Sequence, residues 1–239
     1  MAIIFESLQF VAFTTRQSQK TAVQMWQDAF GELPENFQQH PMGGSQASST
    51  LGDVNRIIIV QPNRIDFLVQ AAPAGPNKPG AIENPNAAIA DGRDLLKKLV
   101  AGEAVQRPAV VFQTWEEFPD SKSSISRTAD QIPGLRPPNG AVDLNFQANV
   151  PRPSLTFPEI SIQRLYRVAN GRRVLVQLEI GPGQNVMQQQ SDGSYVATQY
   201  VDVFASPETP TDRAQFDVVL DEIVKEAQLI LSKGYDHFT

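Results

Sequence analysis

Arg164, Arg167, Arg172 and Arg173 place four guanidinium groups within ten residues, the densest cationic cluster in the chain. A guanidinium presents a planar fork of donors that fits a phosphate or a carboxylate, so the chemistry on offer is capture of a small anion. The neighbouring residues put the four on a hairpin. Ile162–Val168 and Arg173–Ile180 are β-rich runs, and Asn170-Gly171 between them is a two-residue turn signal, because both positions accept positive φ. Such a hairpin sets Arg164 and Arg167 on opposite sides, with Arg172 and Arg173 beside the turn. The plainer role for these charges is to keep an exposed edge from pairing with another chain.

Other reactive types are less well placed. Gly43-Gly44-Ser45-Gln46-Ala47 approaches a nucleophile elbow, with Ala47 where the last glycine would stand, and Asp236 and His237 complete a Ser-Asp-His order. An elbow exposes its hydroxyl only where a buried strand turns sharply into a helix. No strand pattern precedes Gly43, and a serine-rich stretch follows, so Gly43–Thr50 reads as a mobile loop. Adjacent Glu116 and Glu117 point to opposite faces of a strand, and with Asp120 they read as solvated charge. Asp217, Asp221 and Glu222 share the polar side of a helix with Lys225, where i,i+3 and i,i+4 pairing accounts for them. Trp26 and Trp115 read as core anchors.

The chain has no cysteine and two histidines, His40 and His237. That removes thiolate chemistry and cysteine metal sites, and it thins out the general bases. No phosphate loop, dinucleotide fingerprint or zinc spacing occurs. No catalytic residue, metal ligand or cofactor is assigned.

Three segments carry the framework. Ile3–Thr15 is a strand pattern, followed by a helix capped by Thr15, with Ala22, Val23, Trp26, Ala29 and Phe30 on its apolar face and Gly31 at its end. Arg56–Gln70 is a hairpin about Pro62-Asn63; a two-residue loop there sets Ile58 against Phe67 and Val60 against Ile65, whereas the type I or II turn that Pro62 favours over the primed types lets the register slip by a residue or more. After a Pro- and Gly-rich spacer, Asn84 and Pro85 open a second helix with Ile89, Leu95, Leu96, Leu99 and Val100 on its apolar stripe and Gly92 as a weak point within it. Pro108–Phe118 is a short strand, and Ser121–Ser126 is the most mobile point of the polar connection that follows it. Val142–Val150 alternates, Gly181–Gly193 reads as a loop, and Tyr195–Ala205 is a strand. The last helix, Asp212–Lys233, is capped by Thr209 with Pro210 in its first position and closed by Gly234.

These elements predict an α+β fold of two α+β halves, mainly antiparallel sheet packed against amphipathic helices. The halves are an N-terminal unit over 1–118, a proline-containing connection over 119–140 and a β-rich unit over 141–239. Each runs hairpin, spacer, helix. At 239 residues, with 41% hydrophobic and 19% charged residues, the composition is that of a globular protein. A net charge of −6 and a pI near 5.0 disfavour nucleic acid and anionic membranes as partners. No signal sequence or membrane-length apolar run is visible, so a cytoplasmic location is expected.

The Trp26–Phe30 helix, the Val60-Gln-Pro-Asn-Arg-Ile-Asp-Phe67 hairpin, and the ending of Val201-Asp-Val-Phe204, helix and Phe238-Thr239 resemble a sporadically distributed bacterial family of similar-length proteins of unknown function. The resemblance implies a bacterial or phage-related protein of α+β architecture, and its sporadic distribution implies an accessory or defence-type operon. It carries over no catalytic residue. The expected function is non-enzymatic binding or assembly through a sheet or helix surface, with a protein partner or self-association. The alternative is an enzyme or sensor that grips a small anionic ligand with Arg164, Arg167, Arg172 and Arg173.

Overall fold

The computed structural model describes residues 3–40, 43–75, 79–173, 176–180, 186–190 and 193–238. The first half runs β1 (Ile4–Thr14), α1 (Ala22–Phe30), β2 (Asn36–His40), β3 (Gly44–Leu51), β4 (Val54–Gln61), β5 (Arg64–Ala71) and α2 (Pro85–Leu99). The second runs β6 (Val105–Phe118), α3 (Ser121–Asp130), β7 (Asn145–Asn149), β8 (Arg152–Pro153), β9 (Ser161–Arg173), β10 (Val176–Ile180), β11 (Val186–Gln190), β12 (Ser194–Ala205) and α4 (Arg213–Lys233), ending in a 3-10 turn, Gly234–Phe238. The expected α+β architecture is present.

Among the described residues, ten strands form one antiparallel sheet in the order β2-β3-β4-β5-β1-β6-β12-β9-β7, with β8 paired to β9. β10 and β11 form a separate two-stranded ladder. Outward from the β1–β6 seam both halves follow one plan. β1 is flanked in turn by β5, β4 and β3, and β6 by β12, β9 and β7. In both, the seam strand comes first in sequence, a helix follows, the strands then pair from the outside inward, and a second helix closes the unit.

Register partners show which side chains share a face. Ala47, Ile58, Phe67, Phe10, Val110, Val203 and Arg164 stand opposite one another across seven strands. All four helices pack on that side. α1 meets it through Ser45, two residues from Ala47, and α2 through Phe10. α3 meets it through Glu116 and Tyr166, and α4 through Arg164. The core lies between these layers, with Trp26, Tyr166, Phe10, Phe112 and Phe216 almost wholly buried. Each such side chain contributes roughly 1.5–3 kcal/mol.

Local signals held where the partners were also local. Pro62-Asn63 closes a two-residue loop with Gln61 opposite Arg64, and Ile58 and Val60 face Phe67 and Ile65 as expected. Asn84 caps α2 with Pro85 behind it, and Gly31 (φ 77°) ends α1. Gly92 does not interrupt α2, because the glycine lets the helix lie against the Phe10 ring.

Several expectations are corrected. Asn170-Gly171 is not a turn, since β9 runs through it and pairs with β12 from Ile162 to Arg173. Asn170 instead ties down the end of β7, its Oδ1 accepting from Leu144 N and its Nδ2 donating to Val142 O. All of Gly43–Thr50 but its first residue belongs to β3, whose Ser45, Ala47 and Ser49 alternate inward because only small side chains fit beneath α1. Ser121–Ser126 lies in α3, capped by Asp120, which accepts from Ser123 N at 2.7 Å. Thr21 and Asp212, rather than Thr15 and Thr209, cap α1 and α4, each in a reciprocal box with a glutamine three residues on. Within Gly181–Gly193, Val186–Gln190 is strand β11, while 181–185 and 191–192 lie outside the described residues.

Candidate functional site

A broad concavity lies on the helical side of the first half, between the end of α1, the length of α2 and strands β4 and β5. Its form follows from the β3–β4 connection. Leu51 stands opposite Val54 about a two-residue Gly52-Asp53 turn, made possible by Gly52 at φ 65°. So short a connection leaves the space above the sheet open. The cavity is about 550 Å³. Phe67, Val69, Ile82 and Val54 are buried in its floor, and Phe30, Ala88 and Leu95 form its walls.

Its rim is charged. Asp53, Glu83, Asp91 and Asp94 supply four carboxylates against the two cations Arg56 and Lys98. The cations are engaged, for Arg56 lies over the Phe30 ring at 5.7 Å and Lys98 Nζ donates to Ala29 O at 2.8 Å. Asp53 Oδ2 accepts from Glu83 N at 2.9 Å, and Asp94 pairs with Arg93 at 2.8 Å. The side chains of Glu83 and Asp91 have no hydrogen bond or ion pair among the described residues. The lining has no hydroxyl, thiol or imidazole among the described residues. The lining sets an apolar floor beneath carboxylates that carry no ion pair at Glu83 and Asp91 among the described residues.

The four sequence-selected arginines do not converge. Arg164 is on the helical face, its Nε donating to Val150 O and its Nη1 to Glu226 Oε1 at 2.9 Å. Arg167 projects from the other face over Tyr200 at 4.8 Å. Arg172 donates to Gly193 O at 3.3 Å. Arg173 stacks on Trp115 at 4.6 Å and pairs with Glu6 at 2.8 Å. Strand alternation gives Arg164 and Arg172 one face and Arg167 and Arg173 the other. Same-face members are about 20–27 Å apart along an extended strand. One small anion cannot span them.

Other candidates have structural roles. Ser45 Oγ accepts the Ala22 N–H at 2.8 Å. His237 Nε2 sits 2.8 Å from Glu226 Oε1, on the far side of the sheet order. Six strand spacings, roughly 29 Å, separate β3 from β9, so no triad assembles. Glu116 and Glu117 do face opposite ways, with Glu116 bound by Arg127 at 2.9 Å. Glu222 is not solvated as expected. Arg152 at 2.6 Å, Ser154 at 2.6 Å and Leu155 N at 2.8 Å enclose it. Burial alone would raise the neighbouring Glu226 carboxyl, but hydrogen bonds from Arg152, Arg164 and His237 outweigh it and hold the group at about 2.

The opposite face of the sheet carries a second titratable set. Asp66 is buried beside Arg64 (2.9 Å) and Gln9, and its burial raises the carboxyl despite them. Arg107 lies 3.7 Å from the Phe13 ring centroid. Asp202, opposite Val111 and Leu165, is pushed by burial up to about 6, against the pull of Arg107 and Arg64. Among the described residues no group of His, Asp and Glu is placed to hold a metal ion, and no helix is long and apolar enough to cross a membrane.

The pocket is not legible in the sequence because its lining comes from four separated segments. The one local signal was the Leu51-Gly52-Asp53-Val54 turn. No protein-family model matches the chain, and no curated protein or solved structure matches it either.

Proposed function

We propose that this protein is a non-enzymatic binding protein that holds a protein partner through the pocket between α1 and α2. The observation that carries the reading is the cavity itself: about 550 Å³, apolar in its floor and already formed. Its chemistry suits holding more than reacting, since the lining offers no nucleophile–base pair among the described residues. A macromolecular partner is favoured because apolar surface continues beyond the mouth. Leu51 on the rim is 37% exposed, and Leu33 and Phe37 are each 68% exposed. Glu35 accepts from Thr50 N at 3.0 Å, which holds the Leu33–Phe37 stretch beside the end of β3.

The test is capture of candidate partners encoded beside the gene, as an accessory-operon setting would supply them, by the full chain and by three variants. Ala88→Trp fills the pocket from α2, Leu51→Asp alters only its exposed mouth, and Arg172→Ala removes one of the clustered cations. The expected result is at least tenfold weaker capture by the first two variants and full capture by the third. Capture that survives both pocket variants, or fails only with Arg172→Ala, would overturn the proposal.

A further inference from the structure

The two halves treat one location differently. In the second half, the space between the end of α3, α4 and β9 is closed by the chain's own last turn. Phe238 lies 6.2 Å from the Tyr166 ring and 5.0 Å from the Arg164 guanidinium, and Tyr235 meets Phe146 edge-on at 5.4 Å. His237 adds a polar contact to Glu226 on α4 at 2.8 Å. In the first half, the corresponding space lies between the end of α1, α2 and β4. There the chain leaves α2 directly for β6. No equivalent segment returns, and that space is the open cavity.

We infer that the first-half pocket receives a partner segment that shares the aromatic side chain of that last turn and adds a cationic neighbour. The inference rests on the pocket being the binding site and specifies what enters it. Aromatic character follows from the occupant of the matching space and from the aromatic lining that Phe30 and Phe67 give the pocket. The cation follows from charge. Glu83 and Asp91 are free of partners among the described residues, whereas Arg56 is turned onto Phe30 and Lys98 onto a backbone carbonyl. The N-terminus of α2 does not reverse this balance. Asn84 Oδ1 takes the Ala87 N–H, Asn84 O takes the Ala88 N–H, and Pro85 has none to offer.

Three fluorescent octapeptides test this against the full chain by anisotropy. One has a central phenylalanine flanked by lysines, one replaces the phenylalanine with alanine, and one replaces the lysines with glutamates. The first should bind, with each of the others about tenfold weaker at low salt. The lysine–glutamate gap should narrow as salt rises. It should also close in Glu83→Gln/Asp91→Asn, while the phenylalanine requirement persists. Equal or tighter binding of the glutamate peptide overturns the cation, and equal binding of the alanine peptide overturns the aromatic. If none binds, the inference falls, whereas partner capture still sensitive to Ala88→Trp would leave the pocket itself standing.

Discussion

Asp202 shows how far a residue's chemistry depends on its sheet position. As a lone aspartate among valines it carries no sequence signal, yet it stands half-buried on the open face with its carboxyl pushed up to about 6. Its ordinary value is 3.8, so the folded state holds the proton more tightly than the unfolded chain does. The resulting stabilisation is complete below about pH 4 and is lost as pH rises through about 6. Asp202→Asn is therefore expected to stabilise the protein at pH 8 by on the order of 1–2 kcal/mol, with the gain vanishing below about pH 4. Thermal melts across that range check it, and a gain independent of pH would contradict it. The arginine cluster teaches the converse. Its spacing was legible, but its convergence was not, because Arg164 had found Glu226, 62 residues away, and Arg173 had found Glu6, 167 residues away.

At the scale of elements, signals were reliable where competing interactions were weak. Pro62-Asn63 and the cap of α2 needed only near neighbours, and both formed as read. Asn170-Gly171 had the stronger turn chemistry but lost to register pairs with β12 that run from Ile162 to Arg173. Tertiary pairing overrode local preference there. Gly92 makes the same point in a helix. Replacing an interior helix glycine with alanine ordinarily gains roughly 0.5–1 kcal/mol. At position 92 the new Cβ would enter the Phe10 ring. Gly92→Ala should therefore destabilise by about 1–3 kcal/mol, read as a lower urea midpoint, with part of the loss recovered by adding Phe10→Leu. A stabilised Gly92→Ala protein would mean that α2 does not lie against β1 as described.

For the whole molecule, the sheet order repeats outward from the β1–β6 seam, so each half brings two helices to the same side. The sequence reads as two runs of hairpin, spacer and helix, although the second hairpin does not form because Asn170-Gly171 lies inside β9. It could not show that the second run fills its inter-helix space with Tyr235 and Phe238 while the first leaves its own open, since that difference depends on where the chain travels after each helix. The central claim is that this open space is where a partner lands. Methyl NMR of the full chain, titrated with the lysine–phenylalanine octapeptide, tests it most directly. Saturable shifts are expected at Val54, Val69, Ile82, Ala88 and Leu95, with Val203, Val219 and Ile223 in the second half unmoved. Shifts confined to the sheet face opposite the helices, at Val111 and Leu165, would contradict it.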